Sequence, residues 1–161
     1  MTFDESFHAL LGHEGGYSNR DPEADPGGET MWGVTVKTAR ANGYAGPMKD
    51  MPVDVAKAIY KSAFWSPIRG DELPPQIRYA VFDAAVNSGP YQAALWLQRA
   101  IGASADGQVG PQTLTMSRIA PPDFVVRRML GQRLRFMAEL KNWPHNSRGW
   151  ALRIADLLET V

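Results

Sequence analysis

The sequence contains no cysteine. That excludes disulfides, thiolate nucleophiles, iron–sulfur clusters and cysteine-held zinc together. Histidine is scarce: His8, His13 and His145 share no spacing, so surface positions are expected and neither a metal centre nor a cofactor is implied. Net charge is also missing, with 17 Lys and Arg against 17 Asp and Glu. Bulk attraction to nucleic acid or to an acidic membrane is therefore not indicated. No run of about 18 apolar residues occurs, so no membrane span and no stable insertion are expected. The opening MTFDESFHALLGHEGG lacks a basic stretch, and Asp4, Glu5 and His8 interrupt its apolar residues. It reads as neither a signal peptide nor an anchor, which places synthesis in the cytoplasm and leaves release elsewhere to another agent.

What is present suits a globular protein. The 161 residues are 44% hydrophobic and 21% charged. A chain near 150 residues buries roughly 70% of its unfolded surface, enough for one core. A single domain, working as a monomer, is the economical reading.

The pattern is mostly α. Thr2 and Glu5 have capping-box spacing, Phe3, Phe7, Leu10 and Leu11 follow the helical period, and Gly15-Gly16 should end that helix. Residues 17–33 are polar and rich in Gly, Pro and Asp, which predicts a long loop or a small hairpin. Loops longer than about 12–15 residues are often functional. Further helices are expected over 36–42, 53–64, 75–88, 91–101, 112–117, 123–141 and 149–159. Asn87-Ser88-Gly89-Pro90 reads as a turn between two sub-regions, 1–88 and 89–161, of one domain. Convincing alternating strand patterns are absent.

Glu14 is the first chemical candidate. At roughly 100° per residue it continues the stripe of Phe3, Phe7 and Leu10. A carboxylate at the end of an apolar stripe and of a helix is disfavoured in its charged form, which suits a general acid. An exposed position at a frayed helix end is the equal alternative. The loop that follows supplies Asp21, Glu23, Asp25 and Glu29, then Thr30. A second carboxylate opposite a protonated Glu can position water, with the pair about 6.5–9.5 Å apart in an inverting glycosidase. Asp25 before Pro26-Gly27-Gly28 also fits an ordinary turn, which composition alone favours.

The runs Glu14-Gly15-Gly16-Tyr17, Asp25-Pro26-Gly27-Gly28-Glu29-Thr30 and Trp32-Gly33-Val34-Thr35 resemble the signature of glycoside hydrolase family 108. Those enzymes are bacterial and phage N-acetylmuramidases that cut peptidoglycan. The order Glu, Asp, Thr is similar to that of phage T4-type lysozymes. The resemblance implies a lysozyme-like fold, with Glu14 as general acid and Asp25 and Thr30 holding the attacking water. Asp21 competes with Asp25 for that role. No metal or cofactor is implied.

The second half resembles the C-terminal region found behind this family, a predicted peptidoglycan-binding domain. Asp83, Asn87-Ser88-Gly89, Leu97-Gln98, Asp106 to Thr113, and Arg148-Gly149-Trp150 with Arg153 carry that likeness. A structural role for Asp106 to Thr113, a turn and then a helix start at Pro111, is favoured over glycan contact. The long and last helices are expected to complete the core around the first helix.

Sugar rings stack on aromatic faces and bond to amides. Tyr17 and Trp32 flank the loop and are expected to touch glycan. Trp65, Asn87 and Gln98 are further candidates, each with a core or network reading beside it. Trp96, Trp143 and Trp150 read as packing residues. Arg127, Arg128, Arg133 and Arg135 could form a local basic surface toward the wall.

The resemblance thus implies a peptidoglycan hydrolase of the endolysin kind, reaching the wall through a holin-like pore, with glycan strands as its partner. A lytic transglycosylase and a catalytically silent wall-binding or scaffold protein are the alternatives.

Overall fold

A computed structural model describes residues 1–12, 16–19 and 28–159. Among them the chain is mostly helical with one small antiparallel sheet, consistent with a lysozyme-like fold. Helix α1 spans Phe3–Leu11. The Thr2–Glu5 capping box forms: Thr2 N donates to Glu5 Oε2 at 2.7 Å, and Glu5 N donates to Thr2 Oγ1. The bond from Thr2 N, helped by the Thr2 side chain, holds the Glu5 carboxyl below its usual range. The helix ends earlier than its sequence suggests. Gly12, at φ +52°, is its C-cap in place of Gly15-Gly16, because glycine alone adopts that backbone without strain. The helical stripe of Phe3, Phe7 and Leu10 belongs to this helix; Glu14 lies outside the described residues.

The sheet comprises β1 (Ser18–Asn19), β2 (Glu29–Met31) and β3 (Val34–Thr35), in that order. It confirms a hairpin inside the polar 17–33 stretch. Strand β3 runs into α2 (Val36–Ala41), capped by Thr35 Oγ1, which accepts from Thr38 N. Helix α3 (Val53–Tyr60) passes into a π-helical turn over Lys61–Trp65, where Ser66 N donates to Lys61 O at 2.8 Å. The expected helix over 53–64 thus changes pitch at Lys61, a feature that apolar spacing does not encode.

Helix α4 (Arg78–Ser88) is the centre of the molecule, beginning three residues later than the Pro75 start predicted. Residues Ala80 to Ala85 are all buried. A helix that is apolar around its circumference must be enclosed on every side. Helix α1, the π turn, α5 (Pro90–Ile101) and α7 (Pro122–Ala138) all pack against it. Gly89, at φ +84°, and Pro90 at the first position of α5 make the reversal between α4 and α5. Helix α6 (Pro111–Ile119) packs on α5, and α8 (Trp143–Glu159) packs on α7. α8 starts six residues before the predicted Gly149. One core runs from Phe3 through Phe82 and Trp96 to Ile154 and Leu157, joining both sub-regions.

A charged cluster lies within that core. Asp83, 1% exposed, pairs with Arg133 of α7, itself 2% exposed, and accepts from Arg153 Nε of α8 at 2.8 Å. This corrects the expectation that Arg133 belongs to a basic surface. Its guanidinium instead crosses the interior to Asp83. The three groups tie α4, α7 and α8 together.

Candidate active site

An aromatic joint connects α1 to the hairpin. Phe3, Phe7, Tyr60, Trp65 and Phe82 pack mostly edge to face, with Phe7–Tyr60 centroids 5.4 Å apart and Phe3–Trp65 at 5.3 Å. Such arrangements are favoured by the ring quadrupole. Tyr60 carries the link onward: its hydroxyl donates to Trp32 O at 3.2 Å. Burial pushes that hydroxyl's pKa up to about 12, with Arg153 pulling the other way.

The β2–β3 turn is built from Trp32 and Gly33, both at positive φ, +53° and +74°. That is the requirement of a type I′ hairpin turn, whose twist matches its strands. Glycine takes it freely; a tryptophan does not. The surroundings fix Trp32 from two sides. Its Nε1 donates to Met51 O at 2.8 Å, and its carbonyl accepts from Tyr60. Backbone strain held in this way tends to sit at functional sites.

Register then aligns hydroxyls across the sheet. Thr30 is paired with Ser18 on one side and with Thr35 on the other. Directly paired residues share a face, so Ser18, Thr30 and Thr35 form a row on the middle of the sheet. Thr35 is engaged as the α2 cap, whereas Thr30 Oγ1 makes a long 3.3 Å bond to Gly28 O. Tyr17, 43% exposed, donates its hydroxyl to Glu29 Oε1 at 2.6 Å, and that bond raises the phenol's pKa. Tyr17 and Glu29 thus brace β1 against β2.

Of the predicted site residues, Tyr17, Thr30 and Trp32 come together on this hairpin. Glu14, Asp25 and its competitor Asp21 lie outside the described residues. Trp65 does not join the group: it is 1% exposed against Phe3 and Phe82, so no ring face is free for a sugar. Gln98 is also corrected. It is buried, and its amide bonds Asp106 Oδ1 at 2.7 Å, Gln108 O, Thr113 Oγ1 and the Gly107 N–H. That network holds the Asp106 turn, and bonds from Gln108 N and Gln98 keep the Asp106 carboxyl below its usual range. Asn87 is exposed at the end of α4, with Nδ2 on Asp83 O within its own helix. Among the described residues no group of three His, Cys, Asp or Glu could hold a metal ion.

Tyr60 and Glu29 had no assigned role in the sequence. Tyr60 sits on the α3 apolar face, where a core aromatic looks like any other. The Asp83 cluster had a signal: a lone carboxylate inside the apolar run 80–85.

A model of the family Glycosyl hydrolase 108 matches residues 7–89, more than half of the chain and all of the hairpin. The chain belongs to this family. Membership in glycosyl hydrolase 108 makes it a glycoside hydrolase, with the matched stretch containing Glu14, Tyr17, Asp25, Thr30 and Trp32. The solved structure of Brucella abortus SagA is similar over 98% of this chain and 91% of that one, with 29% identity and a TM-score of 0.88. That likeness extends through α5 to α8, beyond the family match. No curated protein sequence matches the chain.

Proposed function

We propose that the protein is an N-acetylmuramidase that hydrolyses the β-1,4 bond between N-acetylmuramic acid and N-acetylglucosamine in peptidoglycan. The family match over residues 7–89 is the observation that carries this reading. Glu14 follows α1 and acts as the general acid, protonating the leaving oxygen as oxocarbenium character develops. Asp25, between β1 and β2, and Thr30 hold the water that attacks the opposite face of the anomeric carbon. The long bond from Thr30 to Gly28 O supports this role, because a weakly engaged hydroxyl can turn to a water. Tyr17 and Trp32 offer aromatic surface on the same hairpin.

Attack by a held water inverts the anomeric centre. Action on the wall as a monomeric endolysin, reached through a holin-like pore, completes the proposal. Glu14→Gln tests it, because an amide cannot protonate a leaving group. Turbidity of a peptidoglycan suspension should then stay constant while circular dichroism remains that of wild type. Clearing at the wild-type rate by the Gln variant overturns the assignment of Glu14.

A further inference from the structure

The zero net charge conceals a division. Residues 1–89 hold eight Lys and Arg against twelve Asp and Glu, whereas residues 90–161 hold nine against five. Charge asymmetry between halves points to an anionic partner for the basic half. Part of the basic excess is spent inside, on Arg133 and Arg153 with Asp83. The rest is at the surface, and it gathers on α7.

At 100° per residue Phe124, Arg128, Gly131 and Arg135 fall within about 60° of one another on α7. All four are exposed, Phe124 to 48%. Arg128 lies over the Phe124 ring at 5.4 Å. Leu134 and Phe136 flank this stripe, each more than a third exposed. Arg135 and Phe136 also line a groove of about 290 Å³ with Gln92, Trp96 and Arg99 of α5, Gln132 of α7 and Glu139 at its C-cap. Arg127 is balanced by Asp123 at 3.9 Å, and Glu139 adds one negative charge to the groove lining. Arg99, Arg128 and Arg135 pair with no carboxylate among the described residues.

We propose that this α5–α7 face docks the protein on the surface of an anionic phospholipid bilayer. Arginines interleaved with exposed Phe and Leu match an interface that presents phosphates above acyl chains. Arg128 covers one face of Phe124 and Phe136 packs edge-on against Trp96; a soluble polyanion would engage the arginines and leave the remaining exposed apolar surface of Phe124, Leu134 and Phe136 in water. The helix lies on the membrane rather than crossing it, since no described helix is long and apolar enough to span. The face shares no residue with the Tyr17–Thr30–Trp32 hairpin, so the proposal stands apart from the catalytic reading.

Co-sedimentation with vesicles tests it, using phosphatidylglycerol mixed into phosphatidylcholine beside phosphatidylcholine alone, at low ionic strength. Wild type should partition onto the anionic vesicles and lose that binding as salt is added. Each basic residue near an anionic surface is worth about a fivefold change, so Arg128→Gln with Arg135→Gln should weaken partitioning roughly 25-fold. Phe124→Ser should weaken vesicle binding while leaving binding to inorganic polyphosphate unchanged. Circular dichroism confirms that each exposed substitution leaves the fold intact. Equal binding of wild type to the two vesicle types overturns the proposal, as does an unaffected double variant. Polyphosphate binding without any effect of Phe124→Ser on vesicles reassigns the face to a soluble polyanion, and also overturns it.

Discussion

Asp83→Asn is the sharpest perturbation of this fold. The carboxylate is 1% exposed and is the counter-charge of Arg133, 2% exposed, and of Arg153, whose side chain is 35% exposed. The substitution keeps the shape and removes the charge. Arg133 cannot reach water from its position, and its Nε already lacks a hydrogen-bond partner among the described residues. Leaving such a charge uncompensated costs about 3–5 kcal/mol. With a urea m-value of about 2 kcal/mol per molar, the midpoint should fall by roughly 2 M. Arg153→Met removes a half-exposed partner and leaves the Asp83–Arg133 pair, so about 1–2 kcal/mol is expected. Asp83→Leu with Arg133→Met replaces the buried pair by apolar side chains and should recover most of the loss. Urea titration followed by far-UV circular dichroism reads all three. A loss below about 1 kcal/mol for Asp83→Asn refutes the reasoning. So does a double variant as unstable as the sum of its singles, which would mean that volume rather than charge decides the site.

Further outcomes follow from the site and the helices. Gly33→Ala places a Cβ 2.5 Å from the Tyr60 hydroxyl at φ +74°, so it should displace the hairpin, destabilise by about 1–3 kcal/mol and depress wall clearing, as melting and turbidity assays would read. Tyr60, held neutral up to about 12 in the folded state against about 10 unfolded, stabilises fully below pH 10 and loses that contribution as pH rises toward 12. Tyrosinate absorbance should therefore show a late-titrating phenol that Tyr60→Phe removes. Gly131→Ala, in an exposed helical position where a Cβ meets nothing, should stabilise by about 0.5–1 kcal/mol in the same urea titration. Inversion should make the α-anomer the first product seen by proton NMR during glycan digestion; a first β-anomer would require a carboxylate about 5 Å from Glu14.

The helices were legible because their signals are local. Thr2 and Glu5 announce the α1 start, Pro90 and Pro111 the starts of α5 and α6, and Gly89 and Gly102 the ends of α4 and α5. The hairpin within 17–33 was legible as a polar, glycine-rich stretch. What failed depends on contacts distant in sequence. Trp65 is core because Phe3 and Phe82 enclose it, 62 and 17 residues away along the chain. Arg133 is buried because Asp83 waits for it fifty residues upstream. Gln98 serves its own turn at Asp106 to Thr113, a job that amide composition alone cannot separate from sugar binding. Gly12 outranked Gly15-Gly16 because a C-cap is chosen by where the apolar face ends, and that is Leu11, which packs against the core.

Mass spectrometry of peptidoglycan digested by the wild type, beside Glu14→Gln, tests the central claim most directly. Hydrolysis between N-acetylmuramic acid and N-acetylglucosamine leaves muropeptides whose muramic acid end takes up hydride from borohydride, and the Gln variant should release none. Products with a 1,6-anhydro muramic acid end would contradict water as the nucleophile. Reducible N-acetylglucosamine ends would contradict the bond assigned, and an undigested wall under the wild-type protein would contradict the muramidase reading altogether.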